Sequence, residues 1–259
     1  GLGMARAFAG AGMKLVIADL DDGARDSVVA EFRAAGTQAV GQRCDVSVHH
    51  QVQDLAKLAT DTYGGVHVLC NNAGVGIPTA TFPMKMSDWR WILDVDLYGP
   101  IYGVEVFLPI MEAQREGHIN STSSMAGLFA GGFMGAYNVA KHGVVALMAT
   151  LARDLHGRKS PVTASVLCPG PINTNISRHS VAYRPGREKP ASDGAGAGKA
   201  AAGIQKMLEE QGMDPDEVGH LVLNAIRGGQ FWILTHPGMA KIITKQTAAL
   251  AADQSLTGM

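Results

Sequence analysis

The sequence carries almost no net charge, because 22 lysine and arginine residues are balanced by 23 aspartates and glutamates. This balance gives no electrostatic reason to expect nucleic acid or an anionic membrane as a partner. No apolar run reaches the roughly 18 residues of a membrane-spanning helix, and no signal peptide is recognisable. Cysteine is scarce as well. Cys44, Cys70 and Cys168 lie in apolar segments without paired spacing, which favours small core residues in a reducing, cytoplasmic compartment.

Metal-ligand spacing is also missing. Nine histidines are scattered along the chain, and the cluster of Cys44, Asp45, His49 and His50 has no recognised ligand spacing, so no metal is expected. The chain does have 46% hydrophobic residues among 259, which is enough to bury a core. That length suits one large α/β domain or two small ones. Since no repeat or firm boundary is visible, we predict a single domain over 1–259.

Short apolar runs alternate with stretches of helical spacing. The predicted strands are 14–18, 38–43, 66–70, 118–123, 162–167 and 231–234. The predicted helices are 23–35, a helix that ends at 63, 87–114, 136–156, 199–211, 215–227 and 238–253. Ser47 is the expected cap of the second helix, and Asp214 that of the helix at 215–227. Pro100 and Pro109 are expected to kink or end parts of the helix at 87–114. This alternation predicts parallel βαβ units in a doubly wound, Rossmann-type α/β fold.

A compositional change marks the segment from about 175 to 212. Glycine, proline, alanine, serine and charged residues dominate 183–198, so this stretch buries little apolar area. We expect a mobile substrate lid that is poorly ordered without ligand.

A tyrosine and a lysine stand four positions apart in Tyr137-Asn138-Val139-Ala140-Lys141, on one face of a predicted helix. A free tyrosine has a pKa of about 10, and a neighbouring ammonium lowers it toward the range of a useful base. Ser124 precedes Tyr137 by thirteen residues and can hold a substrate oxygen near the phenol. Together these groups can move a proton on or off a carbinol oxygen. Alone, the pair also fits a half-buried tyrosine and a solvated lysine.

Four further segments occur in register with this pair. They are Gly1-Leu2-Gly3, Asn71-Asn72-Ala73-Gly74, Ser123-Ser124-Met125-Ala126-Gly127 and Pro169-Gly170-Pro171-Ile172-Asn173-Thr174. With them, residues 1 to about 175 resemble the short-chain dehydrogenase/reductase family. The resemblance implies an oxidoreductase that transfers a hydride between NAD(H) and a secondary alcohol or ketone.

The resemblance also assigns roles to the catalytic residues. It makes Tyr137 the general acid/base, gives Lys141 the task of lowering the tyrosine pKa and binding the nicotinamide ribose, and lets Ser124 hold the substrate oxygen. Ser124 can instead be one more hydroxyl that caps the turn in 121–124.

Two local features point to the adenosine and pyrophosphate of a dinucleotide. Gly1 and Gly3 stand where a strand-to-helix turn lets the backbone approach a pyrophosphate, although a helix N-cap explains them equally well. Asp19 ends a predicted strand, where a carboxylate accepts bonds from both ribose hydroxyls. A 2′-phosphate would meet like charge there, reinforced by Asp21 and Asp22 with no adjacent arginine, so NAD is expected over NADP. The alternative is that Asp19 is only the first residue of a polar turn and binds no ligand.

The remaining cofactor contacts are implied by the resemblance alone. They place Asp45 near the adenine, Asn72 near its ribose with Ala73 and Gly74 beside it, and Thr174 near the nicotinamide carboxamide or the phosphates, after Pro169, Gly170 and Ile172. The segment 169–171 also fits a stiff turn.

Asp96 departs from the family, which usually has asparagine at this position. That asparagine interrupts a helix and holds a water that connects the lysine to solvent. An ionised aspartate accepts from such a water but cannot donate, and its charge near Lys141 weakens the effect of the lysine on Tyr137. This departure keeps a second function class open, namely a redox-inactive dinucleotide-binding or interaction protein of the same fold.

The resemblance begins inside the glycine-rich fingerprint, so we expect the first strand and first glycine of the family to be missing from the given sequence. It also implies a homodimer or homotetramer, built on the helices near 89–111 and 136–155, whose faces are rich in Ala, Val, Leu and Met.

Overall fold

A computed structural model describes residues 1–77, 81–186 and 195–252, with the side chains of 195–201 left out. Its strands are β1 (Leu15–Asp19), β2 (Ala39–Arg43), β3 (Val68–Asn71), β4 (Gly117–Thr122), β5 (Val162–Cys168) and β6 (Trp232–Leu234). Its helices are α1 (Leu2–Gly10), α2 (Asp22–Ala34), α3 (His49–Tyr63), α4 (Met86–Leu93), α5 (Gly99–Gln114), α6 (Gly135–Gly157), α7 (Ile176–Ala182), α8 (Ala195–Gln211), α9 (Pro215–Arg227) and α10 (Ala240–Ala252). None of the described helices is both long and apolar enough to cross a membrane.

Every strand pairing among the described residues is parallel. β1 pairs with β2, and β3, β4, β5 and β6 follow one another in a second sheet. The predicted Rossmann-type α/β fold is confirmed. Because the strands are parallel, their carboxyl ends meet at one edge, which carries Asp19, Asn71 and Thr122.

Helices cover both faces of the sheet. Neighbouring residues of β5 show this, because side chains alternate between the faces of a strand. Val166 packs in one apolar cluster with residues of α5 and α6, whereas Leu167 packs in another with residues of α1, α2 and α9. The described residues thus form a three-layer arrangement that leaves the carboxyl edge of the strands uncovered by these layers.

Helices α1 and α9 pack closely where they cross, with Gly3 of α1 and Gly219 of α9 at the contact. A methyl carbon on Gly3 would lie 1.9 Å from the Pro215 carbonyl oxygen, and one on Gly219 would lie 2.1 Å from the Gly3 carbonyl oxygen. Neither position has room for a side chain, because backbone lies against backbone. The sequence analysis linked Gly3 to a pyrophosphate, but the structure shows that packing on α9 already requires glycine there.

Two expectations about helix boundaries were wrong. Ser47 does not cap α3, because its hydroxyl and amide both donate to Asp45 Oδ1, at 2.6 and 3.0 Å, and Val48 holds the cap position. Pro100 and Pro109 do not interrupt the 87–114 helix either. The break is a π-helical turn, Asp94–Tyr98, after which Pro100 sits in the first turn of α5, where no amide donor is needed.

The segment 175–212 holds more regular structure than its composition suggests. The predicted helix at 199–211 begins earlier, as α8, and packs against the unpredicted helix α7. Residues 187–194, inside the compositionally distinct stretch 183–198, lie outside the described residues. The mobility of this segment stays a prediction.

We expect Gly219→Ala to destabilise the protein, because the added methyl must push two backbones apart. Overpacking of this kind costs about 1–3 kcal/mol, and each kcal/mol lowers Tm by about 2–4 °C in a domain of this size. Gly203→Ala is the matched control, since Gly203 lies inside α8 with no atom within 4 Å of the new methyl. It should raise stability by about 0.5–1 kcal/mol. Equal thermal melts for the two variants would contradict the tight crossing.

Candidate active site

The predicted catalytic residues meet at the carboxyl edge of the strands. Tyr137 and Lys141 lie in the first two turns of α6, and the Lys141 Nζ atom is 5.5 Å from the centroid of the tyrosine ring. Lys141 is only 3% exposed, and its ammonium donates to the Thr122 carbonyl oxygen at 3.2 Å, at the end of β4. A buried cation is therefore held beside the phenol.

Two neighbouring serines after β4 have different surroundings. Ser123 is buried, and its hydroxyl donates to the Lys141 carbonyl oxygen at 2.8 Å. The Ser124 hydroxyl accepts from the Ala126 amide at 3.1 Å, and Ser124 lies near enough to Tyr137 to lower the pKa of the phenol slightly. Ser124 thus caps the short turn 125–127, and its role in holding a substrate oxygen stays a prediction.

Asp96 is fully buried in the π-helical turn between α4 and α5. Its Oδ1 atom accepts from the Val75 amide at 2.7 Å, and its Oδ2 atom lies 3.3 Å from Lys141 Nζ. Oδ2 receives no hydrogen bond from the described residues. The carboxylate is therefore the counter-ion of Lys141, as the sequence departure suggested.

Burial and this ion pair together set the pKa of Tyr137. Burial of the phenol raises its pKa, Lys141 lowers it, and the Asp96 charge raises it again, so the net direction in the ligand-free protein is upward. The sequence analysis expected a lowered pKa, because it counted the ammonium without the desolvation of the ring. For Lys141, burial lowers the pKa but the charges of Asp96 and Tyr137 outweigh it, so the ammonium is stabilised.

The Asn-Asn-Ala-Gly segment runs through the same site. A methyl on Gly74 would lie 3.3 Å from Lys141 Nζ and 3.5 Å from Asp96 Oδ1, so a side chain there would crowd the ion pair. Gly76 packs on the Tyr137 ring, where its added methyl would be 3.3 Å from the ring carbons. Ala73 is exposed at this edge.

The predicted adenosine contacts lie at the ends of β1 and β3. Asp19 is exposed, and its Oδ1 atom accepts from the Asp21 amide at 2.9 Å. The Asn72 amide nitrogen is 3.1 Å from where a methyl on Gly1 would lie, and Asn72 Oδ1 accepts from Thr122 at 3.3 Å. Asp45, by contrast, commits its Oδ1 atom to Ser47 in its own loop.

Arg43 is a residue that the sequence analysis missed. It stands directly opposite Asp19 in the β1–β2 ladder and forms an ion pair with Asp22 at 3.2 Å. The expectation that no arginine is adjacent to Asp19 was therefore wrong. Arg43 is distant from Asp19 along the chain but lies beside it in the sheet. Only the strand register reveals this neighbour.

The loop 169–174 is held by the elements around it. The Gly170 amide donates to Thr235 Oγ1 at 3.0 Å, and the Pro169 carbonyl accepts from the Met125 amide at 2.9 Å. Ile172 forms a bridge with Met213, and the Thr174 carbonyl accepts from Gln205 at 3.1 Å. These contacts fix the backbone of the loop and leave the Thr174 side chain exposed.

The groups along this edge suit an extended dinucleotide. Asp19 offers a carboxylate to a diol, Asn72 offers an amide, and Lys141 offers a buried cation beside Tyr137. The donor set therefore fits such a ligand at the carboxyl ends of parallel strands.

Comparisons with known proteins agree with this geometry. The sequence pattern described as short chain dehydrogenase matches residues 1–184. The chain belongs to the short-chain dehydrogenase/reductase family. A solved family member from Burkholderia phymatum in complex with NAD is 37% identical, with a TM-score of 0.92 over 100% of this chain and 95% of its own.

Two further relatives widen the range of chemistry in the family. The 1-deoxy-11-beta-hydroxypentalenate dehydrogenase of Streptomyces exfoliatus is 30% identical over 91% of this chain and 78% of its own length. A metagenomic short-chain oxidoreductase solved with NADP is 31% identical, with a TM-score of 0.62 over 67% of this chain and 78% of its own. The chain is thus related to oxidoreductases acting on CH–OH groups, a family that uses NAD or NADP.

Replacing Asp96 by asparagine should lower the pKa of Tyr137, because the carboxylate charge disfavours the phenolate. In alcohol oxidation, the limb of the pH–rate profile that reports phenolate formation should move to lower pH. The profile of kcat/KM against pH checks this.

Asp94→Asn is the matched control, since Asp94 lies exposed in the same π-helical turn and undergoes the same change of charge. Its profile should overlay that of the parent. A shift to higher pH in Asp96→Asn would contradict the assigned electrostatics.

Proposed function

We propose that this protein transfers a hydride between NAD(H) and a secondary alcohol or ketone, with Tyr137 as the general acid/base. The observation that carries the proposal is the buried Lys141 ammonium 5.5 Å from the Tyr137 ring centroid, with Ser124 acting on the same tyrosine. A cation and a hydroxyl converging on one phenol are what proton transfer at a carbinol oxygen requires.

Each residue then has a separate task. Ser124 holds the substrate oxygen, and Tyr137 gives a proton to it in ketone reduction or takes one from it in alcohol oxidation. Lys141 stabilises the phenolate and offers donors to the ribose of the nicotinamide half. The nicotinamide cofactor, when bound, supplies or accepts the hydride. Asp96 keeps Lys141 charged.

A second candidate is a redox-inactive binding protein of the same fold. The observation that favours it is the Asp96 carboxylate 3.3 Å from Lys141 Nζ, which offsets part of the pull of the ammonium on Tyr137. The retained Tyr137, Lys141 and Ser124 favour the enzyme. A change in NADH absorbance with a panel of secondary alcohols and ketones distinguishes the two.

Tyr137→Phe should abolish turnover while NADH binding stays nearly unchanged, because the phenol transfers a proton and does not capture the cofactor. Loss of a general acid/base costs about 10²–10⁴-fold in rate. Steady-state rates and fluorescence titration with NADH measure the two effects. Activity above about a tenth of the parent, well outside that range, would refute the assignment.

Lys141→Ala should lose both turnover and cofactor affinity, because the lysine stabilises the phenolate and contacts the nicotinamide ribose. The same two assays apply. Unchanged NADH affinity in this variant would refute the second task.

NAD is the proposed cofactor, with NADP less favoured. The support is the negative charge of Asp19, Asp21 and Asp22 around the end of β1. Arg43 offsets this charge only in part, because its Nη1 atom is already engaged with Asp22.

We expect kcat/KM to be higher with NAD than with NADP. Asp19→Ala should bring the two values of kcat/KM closer together, because it removes like-charge repulsion toward a 2′-phosphate. The loss of one carboxylate also leaves Arg43 less neutralised. Asp61→Ala is the control, because Asp61 is an exposed carboxylate on α3 paired with Lys57. Equal efficiency of the parent with the two cofactors would contradict the preference.

The proposal includes a homodimer or homotetramer, a cytoplasmic location and a substrate lid over about 175–212. The exposed Val139 on α6 and the apolar residues of α5 support close packing of two copies. Light scattering that gives the mass of a monomer would reject the homodimer and the homotetramer.

The mobility of the lid has its own test. Hydrogen exchange across the described part of the lid, as slow as that of the strands, would reject this mobility.

A further inference from the structure

Two contacts fasten helix α7 and the residues after it, one to the loop that follows β3 and one to α4. The Ser180 hydroxyl accepts from the Gly76 amide at 2.8 Å and donates to the Ile176 carbonyl at 2.7 Å. Gly76 packs on the Tyr137 ring. The middle of the helix is therefore held against the catalytic end of the site.

A partly buried ion pair fixes the residues just after α7. Arg184 Nε donates to Asp88 Oδ1 at 2.7 Å, and its Nη2 atom pairs with the other carboxylate oxygen. Asp88 is only 5% exposed, on α4. A two-point contact between guanidinium and carboxylate is the geometrically most restrictive ion pair available to a protein. It limits where the preceding residue, Tyr183, can lie.

Tyr183 faces the opposite end of the site. Its hydroxyl lies 3.5 Å from Asp21 Oδ2, and the charges of Asp19, Asp21 and Arg43 all act on it. The ring stays 40% exposed and makes an edge contact with His179. A phenol is thus placed beside Asp21, close to Asp19, the carboxylate that is proposed to bind the adenosine ribose.

We propose that Tyr183 is a binding residue for the adenosine half of the dinucleotide, held in place by the Arg184–Asp88 ion pair. This rests on the proposed dinucleotide binding. The exposed ring offers a flat apolar surface to an adenine, and the hydroxyl offers a donor to the ribose in place of Asp21. Helix α7 then spans the cofactor from its adenosine end to the nicotinamide end at Tyr137.

The test compares two ligands that differ in the adenosine half. NADH has it, and reduced nicotinamide mononucleotide does not. Tyr183→Ala should speed NADH dissociation about 10-fold in stopped-flow fluorescence, because the variant loses the stack between the ring and the adenine. The affinity for the mononucleotide should stay at the parent value.

Matched variants separate binding from a general disturbance of α7. Arg178→Ala removes an exposed ion pair between α7 and Glu209 on α8, and should leave NADH dissociation unchanged. Tyr183→Phe tests the hydroxyl alone, with Tyr63→Phe as its control, because the Tyr63 hydroxyl bonds to the Leu15 carbonyl at the other end of β1.

Arg184→Gln tests the positioning role. It should speed NADH dissociation in the parent but add nothing in the Tyr183→Ala background, because the tyrosine through which it acts is gone. An additive effect would overturn this part of the proposal.

Three outcomes overturn the role of Tyr183. They are unchanged NADH dissociation in Tyr183→Ala, slower dissociation, or an equal loss of affinity for the mononucleotide. If the parent binds neither ligand, the proposed function falls together with this inference. If the parent binds both and Tyr183→Ala behaves like it, only this inference falls.

Discussion

The buried ion pair of Lys141 and Asp96 is the contact on which the site depends. An ammonium that is 3% exposed needs a counter-charge, and Asp96 supplies it at 3.3 Å. Removing one partner of such a pair costs about 3–5 kcal/mol, because the other charge stays buried and unpaired. The local structure follows from this need. The π-helical turn directs Asp96 inward, and Gly74 leaves room for the ammonium.

The same pair sets the protonation state of Tyr137. The ammonium favours the phenolate, whereas burial and the Asp96 carboxylate favour the neutral phenol, and their sum raises the pKa. The counter-ion that makes a buried lysine tolerable therefore reduces the influence of that lysine on its neighbour. In the ligand-free protein the tyrosine keeps its proton, which is the form that donates to a ketone oxygen in the proposed reaction.

Local patterns carried much of the fold and of the site. The strand at 14–18 was observed at Leu15–Asp19 and that at 66–70 at Val68–Asn71, because apolar runs and turn residues are properties of short segments. The grouping of Tyr137 with Lys141 and Ser124 likewise followed from spacing. Contacts between distant segments were not predictable. The position of Arg43 opposite Asp19 depends on strand register, and the packing role of Gly3 depends on a helix more than 200 residues away.

Helix α7 shows why the regular structure within 175–212 was not predictable from composition. Its sequence has no strong helical pattern, yet two tertiary contacts, Ser180 with Gly76 and Arg184 with Asp88, hold it in place. Gly76 follows Val75, whose amide is bound by Asp96. The consecutive amides of Val75 and Gly76 thus connect the buried ion pair and helix α7 to one loop. A buried amide that loses its hydrogen-bond partner costs free energy, so a change in this loop that breaks one of these two hydrogen bonds also disturbs the other. The order of α7 and the position of Asp96 are therefore properties of the same few peptide groups.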